Sequence, residues 1–330
     1  MVPKVAVIGQ GVIGLSSAIA IKQTIPAASI TLFADRKFED TCSYGPAGLF
    51  RLDFMKNKEW ARASFERYAE IERNHSPKET GVKLISGHIQ SDDKELLDNQ
   101  DRCMSDIVYN FHWLTERELK SMFPNPSKYA IHYTAYATEG RRYVPWLGKQ
   151  LQNIANVEFR EQKVSSVKEL VDSDDFDAII NCGGLNGGKL AGDDDSVYPI
   201  RGVALEVEAP WQKHFNYRDV VTFTIPMVDT VILGTQKQEH RSDLEITDED
   251  RKDIWQRYLK LHPTFKNAKV VSEWCGLRAA RPSVRLEHCK NISPSGRNCH
   301  VVHNYGHGSN GFTLGWGCAL EVASILSPLI

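Results

Sequence analysis

Three observations in this 330-residue sequence predict an α/β fold whose two parts are woven from discontinuous segments. A short apolar run, Val5-Ala6-Val7-Ile8, enters the glycine turn Gly9-Gln10-Gly11-Val12-Ile13-Gly14 and leaves it as an apolar stretch of helical character, Leu15 to Lys22. A second apolar run, Ser29-Ile30-Thr31-Leu32-Phe33, follows and ends at an acidic residue, Asp35. Further on, Gly202 to Val207, Val220 to Ile225 and Thr230 to Gly234 alternate in the manner of antiparallel strands.

The opening elements define a strand, turn, helix and returning strand. In a G-x-G-x-x-G turn the first glycine makes the bend, the second admits a pyrophosphate and the third lets the helix pack closely. The helix amides then face the phosphates. Asp35 stands 21 residues beyond Gly14, where a carboxylate bonds a ribose hydroxyl. Together these features predict a dinucleotide site built on Gly9, Gly11, Val12, Ile13, Gly14 and Asp35.

The C-terminal end identifies the dinucleotide. Val301-Val302-His303-Asn304-Tyr305-Gly306-His307-Gly308-Ser309-Asn310-Gly311-Phe312-Thr313 passes from a β-branched pair through glycines and small polar residues. An apolar helical stretch containing Trp316-Gly317-Cys318-Ala319 follows. Side chains are missing where a ligand would approach backbone. A nicotinamide enzyme rarely needs a second backbone-lined cradle, whereas a flavin ring must be held as well, so FAD is the expected cofactor.

From about Asp53 to Arg141 the sequence reads as irregular, with charged helices at Trp60 to Arg73 and Thr115 to Phe123 and a turn at Pro124-Asn125-Pro126-Ser127. Strands resume at Val157 to Arg160 and Ala178 to Asn181. There are no repeats. Hydrophobic residues make up 42% and charged residues 25%, which excludes a disordered or fibrous chain. Forty basic against forty-two acidic side chains leave −2, so neither nucleic acid nor an anionic membrane is an expected partner.

Cysteines at 42, 103, 182, 275, 289, 299 and 318 are odd in number and show no C-x-x-C spacing, which points to free thiols rather than zinc or a disulfide framework. The N-terminal apolar run is broken by three glycines and does not read as a signal peptide. The last residues, Ser327-Pro328-Leu329-Ile330, match a peroxisomal Ser-Lys-Leu poorly, so cytoplasm is expected ahead of peroxisome.

The segment His303 to Gly308 with Gly311, Trp316-Gly317 and Ala319 resembles the signature of the D-amino-acid oxidase family. Ala34-Asp35-Arg36, Thr41-Cys42-Ser43, Ala47-Gly48-Leu49, Ala178 to Gly184, Gly276-Leu277-Arg278 and Arg281 to Glu287 extend the similarity along the whole chain. The resemblance implies a Rossmann-like FAD-binding domain interwoven with a mixed/antiparallel-sheet substrate domain. Residues 1–52, 138–196 and 277–330 would form the first, and 53–137 and 197–276 the second, with an active-site lid near 216–226 and the ligand between the two.

It also implies the chemistry. A hydride passes from the α-carbon of a D-amino acid to flavin N5, water hydrolyses the imino acid to a 2-oxo acid and ammonia, and O2 leaves as peroxide. No acid or base is required, so no side chain is expected to be catalytic, and no metal is expected. Arg278 matches the family's α-carboxylate anchor and the Ser309 carbonyl would accept from the substrate amine. Arg281 and Arg285 read instead as ion-pair residues. Arg36 joins Asp35 at the adenosine end, Val164 lies at the adenine, and Thr41 and Ser43 serve the phosphate and ring region. Cys42 stands where many relatives carry a hydroxyl. Gly48, Leu49 and the amides of Gly308, Gly311, Phe312 and Thr313, beside Ser309, serve the flavin. His303 and His307 read as structural.

Substrate choice turns on a second carboxylate. Arg218 lies at the expected lid, Phe223 where neutral-substrate members carry tyrosine, and Lys237 where members acting on acidic substrates tend to carry arginine. Burying that carboxylate demands at least one of Arg218, Lys237 and Arg51. Acidic D-amino acids (D-aspartate, with D-glutamate and N-methyl-D-aspartate) are therefore the expected substrates, ahead of neutral D-amino acids and of a flavin-binding protein without turnover.

Overall fold

The computed structural model describes residues 2–330. The chain divides into two compact units, Met1–Tyr44 with Tyr143–Ile200 and Arg278–Ile330, and Gly45–Arg142 with Arg201–Leu277.

In the first unit every residue of the strand Lys4–Ile8 beyond Lys4 is buried, as a continuous β-branched run requires when both faces of a sheet are covered. Parallel strands lie in the order Asn298–His307, Ala178–Asn181, Lys4–Ile8, Ser29–Ala34 and Val157–Glu161. Their register brings Val5 beside both Ile30 and Ala178. The final half of Lys269–Ile292 adds an antiparallel edge against Asn298–His307. The helices Val12–Thr24 and Gly311–Leu326 pack on each other, with a Cβ at Gly315 falling 3.4 Å from Ile13 Cδ1. Ala6, Ile8, Phe33, Ile179 and Val301 form a core on one side that takes in Val164.

The second unit holds a mixed sheet. Its strands run Ala47–Leu49, Tyr129–Glu139, Val82–Ser91, Phe215–Arg218, Thr222–Pro226 and Val231–Gly234, then Arg201 onward, and only the Val82–Ser91 and Phe215–Arg218 pair is parallel. Val203, Leu205 and Val207 pack in one core with Ile254 and Tyr258 of the helix Asp248–Leu261. Thr247 begins that helix with a capping box to Asp250. Asp250 also receives the fully buried Arg201 at 2.8 Å, and Arg201 bonds Gln238 and the Asp243 carbonyl as well.

One expectation is corrected. The stretch from 53 to 141 is not irregular, because Val82–Ser91 and Tyr129–Glu139 pair over ten residues. Their alternation was hidden by buried polar residues, His88, Gln90, Ser91, Thr134 and Thr138 among them. The segment 216–226 is a hairpin. It is paired to Val82–Ser91 on one side and Val231–Gly234 on the other, with Asp219 and Val220 at positive φ at its tip.

One row of this sheet is expected to make the fold acid-sensitive. His112, His132 and His88 stand opposite one another on three neighbouring strands, and Asn216 continues the row beside His88. His132 Nδ1 and His88 Nε2 are 3.1 Å apart, and Asn216 Nδ2 reaches His262 Nε2 at 2.9 Å. Burial pushes His88 down to about 4, with His132 adding to the effect, and burial alone takes His262 to about 4. Burial also lowers His132, with His112 and His214 adding to it and Glu118 opposing. These folded-state values fall below the ordinary 6.5, so the unfolded chain binds protons first as pH falls. Stability is full above about 6.5 and is lost down to about 4. The midpoint of thermal unfolding should therefore drop between pH 6.5 and 4.5, and His88→Gln should flatten that drop by up to about 3 kcal/mol. An identical pH profile in the variant would contradict this.

Among the described residues, no helix is long and apolar enough to cross a membrane, and no group of three or more His, Cys, Asp or Glu is placed to hold a metal ion.

Candidate functional site

The glycine turn is built by close approach. Gly9 has φ +105° and donates its N–H to the Phe33 carbonyl at 2.8 Å, which fixes the turn beside the end of Ser29–Ala34. A Cβ there would sit 2.5 Å from the Cys182 carbonyl oxygen, and one at Gly14 only 1.8 Å from the Gly9 carbonyl oxygen. The second glycine, Gly11, leaves 3.1 Å between its missing Cβ and Ser43 Oγ, and that hydroxyl accepts from the Val12 N–H at 3.2 Å. Val12, Ile13 and Gly14 form the first turn of Val12–Thr24.

The second cradle lies on the partner helix. The strand Asn298–His307 runs further than its β-branched pair suggests, so the expected loop shrinks to Gly308–Asn310. Gly306 at φ +86° and Gly308 at φ +56° occupy left-handed backbone that side chains disfavour. Gly311, Phe312 and Thr313 then open Gly311–Leu326, with Ser309 exposed just before it. Among the described residues, neither N-cap, Gly11 or Asn310, offers a side-chain cap. Two long helices of one unit thus direct their N-terminal turns into the same region, as the packing of Gly315 against Val12 and Ile13 requires. The positive ends of two helices suit an anionic, polar-edged ligand.

Buried polar atoms agree. His307 Nε2 has no hydrogen-bond partner among the described residues, and burial takes that imidazole down to about 4, so it is neutral and able to face a ligand. His303 is likewise pushed down to about 4, mainly by burial, and lies 3.2 Å from the Asn181 amide, a structural placement. Asn304 donates to Ser17 Oγ at 3.2 Å and ties the C-terminal strand to the first helix. Sequence reasoning passed over that link, whose only signal was an amide within an otherwise apolar buried run.

The other expected residues are placed as follows. Asp35 and Arg36 form a two-bond pair, 2.7 Å each, and Arg36 holds the Asp35 carboxyl below its usual range, so it stays ionised. Lys163 also acts on Asp35, and its neighbour Val164 is buried in the core beneath. Thr41 donates its hydroxyl to the Phe38 carbonyl at 2.7 Å. Cys42 lies within electrostatic reach of Arg278 and Arg36. Arg278 is half-buried on Lys269–Ile292, whereas Arg281 bonds Asp194 at 2.9 Å and Arg285 bonds Asp193 at 2.6 Å and Tyr305 at 2.8 Å. All of these belong to the first unit.

Gly48, Leu49, Arg51, Arg218 and Lys237 belong to the second. Gly48 and Leu49 lie in the edge strand Ala47–Leu49. Arg218 donates to Ser127 Oγ at 3.0 Å and to the Asn125 carbonyl at 2.7 Å, and Lys237 is exposed beyond Val231–Gly234.

A parallel sheet whose glycine turns each open a long helix defines a dinucleotide-binding fold. The chain belongs to the DAO family, FAD dependent oxidoreductase, whose model matches residues 4–325. It is 54% identical to D-aspartate oxidase 1 of Caenorhabditis elegans over 100% of this chain and 98% of that protein. It is 34% identical to D-aspartate oxidase of Homo sapiens, over 99% and 95%. Among solved structures, glycine oxidase from Geobacillus kaustophilus superposes with a TM-score of 0.79 at 19% identity, over 99% of this chain and 96% of that one, which speaks for the fold.

Proposed function

We propose that this enzyme oxidises D-aspartate, together with D-glutamate and N-methyl-D-aspartate. The observation that carries the reading is the 54% identity, over the full chain, to a D-aspartate oxidase. The overall reaction consumes amino acid, O2 and water and yields 2-oxo acid, ammonia (methylamine from the N-methyl substrate) and hydrogen peroxide. FAD supplies the acceptor for the hydride of the α-carbon and returns the electrons to O2.

The protein's own work is to hold and orient. Gly9, Gly11, Val12, Ile13 and Gly14 hold the pyrophosphate, Asp35 and Arg36 the adenosine hydroxyls, and Val164 the adenine. Thr41, Cys42 and Ser43 serve the phosphate and ring region. Gly48, Leu49, Gly308, Ser309, Gly311, Phe312 and Thr313 hold the ring system. Arg278 grips the α-carboxylate through two parallel N–H donors, and the Ser309 carbonyl accepts from the amine, which together fix the face of the α-carbon that is presented. Arg218 and Lys237 act as rim cations that draw in dicarboxylates. Seven free thiols support a reducing compartment, the cytoplasm.

Anaerobic mixing of the yellow holoenzyme with D-aspartate, D-alanine and L-aspartate tests the reading. Bleaching by D-aspartate well ahead of D-alanine, and none by L-aspartate, is expected. Preference for D-alanine would assign the enzyme to neutral substrates, and no bleaching by any D-amino acid would make it a binding protein.

A further inference from the structure

The strand that carries Arg278 meets the C-terminal cradle strand through a wide bulge. Ala280 pairs with His307 and Arg285 with Tyr305, so Arg281-Pro282-Ser283-Val284 stand opposite the single residue Gly306. Gly306 takes φ +86° there, and a Cβ on it would lie 2.9 Å from Arg281 Cβ. At the near end of the bulge a Cβ on Gly308 would lie 4.0 Å from Ala280 Cα. Arg278, two positions before Ala280, shares its face of the strand. The bulge therefore sets where the proposed carboxylate anchor stands relative to the proposed ring cradle, as bulges beside functional sites re-aim a side chain.

One carboxylate ties this bulge together. Asp194, with a side chain only 5% exposed, accepts from Arg281 Nε at 2.9 Å on the bulged strand and from the Tyr305 hydroxyl at 2.8 Å on the strand opposite. The Ser196 N–H bonds its other oxygen at 2.9 Å and fixes the loop that presents it. Arg285 closes the far end, with its two Nη atoms on Asp193 at 2.6 and 2.9 Å and Nη1 on the Tyr305 hydroxyl at 2.8 Å. Tyr305 is held in turn by packing over Gly187, where a Cβ would come within 2.4 Å of its Cγ. Burial works against the charged form of Asp194, but bonds from Ser196, Tyr305 and Arg281 outweigh it and keep the carboxyl well below its ordinary range. The cradle strand has other supports, since it pairs with Ala178–Asn181 and Asn304 bonds Ser17, so the clamp acts chiefly on the bulged strand. Every member of the set belongs to the first unit.

We propose that Asp194 is a positioning residue for the reaction: by clamping the bulge between Arg281 and Tyr305 it holds Arg278 where the α-carboxylate binds. This rests on the reading of Arg278 as the α-carboxylate anchor. The clamp and a simple field effect differ in sign. Removing a negative charge favours an anionic ligand by Coulomb's law, whereas a misplaced anchor weakens it. Because Arg278 grips the carboxylate in the ground state and the transition state alike, the loss falls on KM rather than kcat.

The test uses holoenzyme of wild type, Asp194→Asn, Tyr305→Phe, Arg278→Lys and the double variant Asp194→Asn with Arg278→Lys. Propionate is titrated through the change in flavin absorbance, and kcat and KM are measured for D-aspartate and D-alanine. Asp194→Asn should weaken propionate about tenfold and raise KM for both amino acids by about the same factor, with kcat within about threefold of wild type. Tyr305→Phe, which removes one of the two arms, should weaken propionate by about threefold. In the Arg278→Lys background the Asp194 substitution should cost less than about twofold, since it acts through an anchor already lost. Tighter or unchanged propionate binding in Asp194→Asn, or an equal loss in both backgrounds, would overturn the proposal. If Asp194→Asn does not fold, Tyr305→Phe decides it, and unchanged propionate affinity there overturns the clamp. The underlying reading fails separately, through wild-type propionate affinity in Arg278→Lys, which would remove the anchor and the clamp with it. A wild-type preference for D-alanine bears on the choice of substrate alone, because both amino acids carry the α-carboxylate.

Discussion

Arg278→Leu should lower kcat/KM by about two to four orders of magnitude for every D-amino acid tested, acidic or neutral. The α-carboxylate is common to all of them. Two charge-assisted hydrogen bonds at about 1.5–3 kcal/mol each set the size of the loss. Arg281 and Arg285 cannot substitute, since Asp194, Asp193 and Tyr305 engage them. Arg278→Lys should recover only part, because an ammonium keeps the charge but not the parallel fork. The loss has to be general: a defect confined to D-aspartate would move Arg278 to the distal carboxylate, and unchanged kinetics would place the anchor elsewhere.

The second large effect falls on the cofactor. Gly14→Ala places a methyl 1.8 Å from the Gly9 carbonyl oxygen, which is backbone and has no rotamer to yield. The turn or the helix must shift, at a cost of about 1–3 kcal/mol or more, and either movement disturbs the amides of Val12 and Ile13. The variant should bind FAD at least about a hundredfold more weakly and unfold at lower temperature. Gly148→Ala serves as the contrast. It lies in the helix Gly140–Gln152, where an added Cβ meets nothing within 4 Å, and should stabilise by about 0.5–1 kcal/mol. FAD affinity unchanged in Gly14→Ala would mean that the turn does not hold the dinucleotide.

The parallel half of the fold was legible because its signals are local. A buried apolar run, glycines at fixed spacing and a β-branched pair entering a glycine loop each state one backbone requirement, and the strands Lys4–Ile8, Ser29–Ala34 and Ala178–Asn181 follow from them. The other half was harder. Val82–Ser91 buries His88, Gln90 and Ser91, so alternation of polarity no longer marks which face is covered. Side-chain pairing over long separations was also invisible. Nothing in the sequence joins Asn304 to Ser17 or His112 to His88, since the packing of a helix on a strand decides the first and strand order the second. Arg218 and Lys237 illustrate the limit for the site. Charge and spacing singled them out, but partners brought from 125 and 127 occupy the first and solvent surrounds the second.

Two backbone cradles of one unit are expected to hold a single FAD. The most direct measurement is the visible spectrum of the purified protein, followed by titration of stripped protein with FAD. A yellow protein that binds one FAD per chain and regains its flavin absorbance is expected. A preparation that stays colourless after incubation with excess FAD would contradict it.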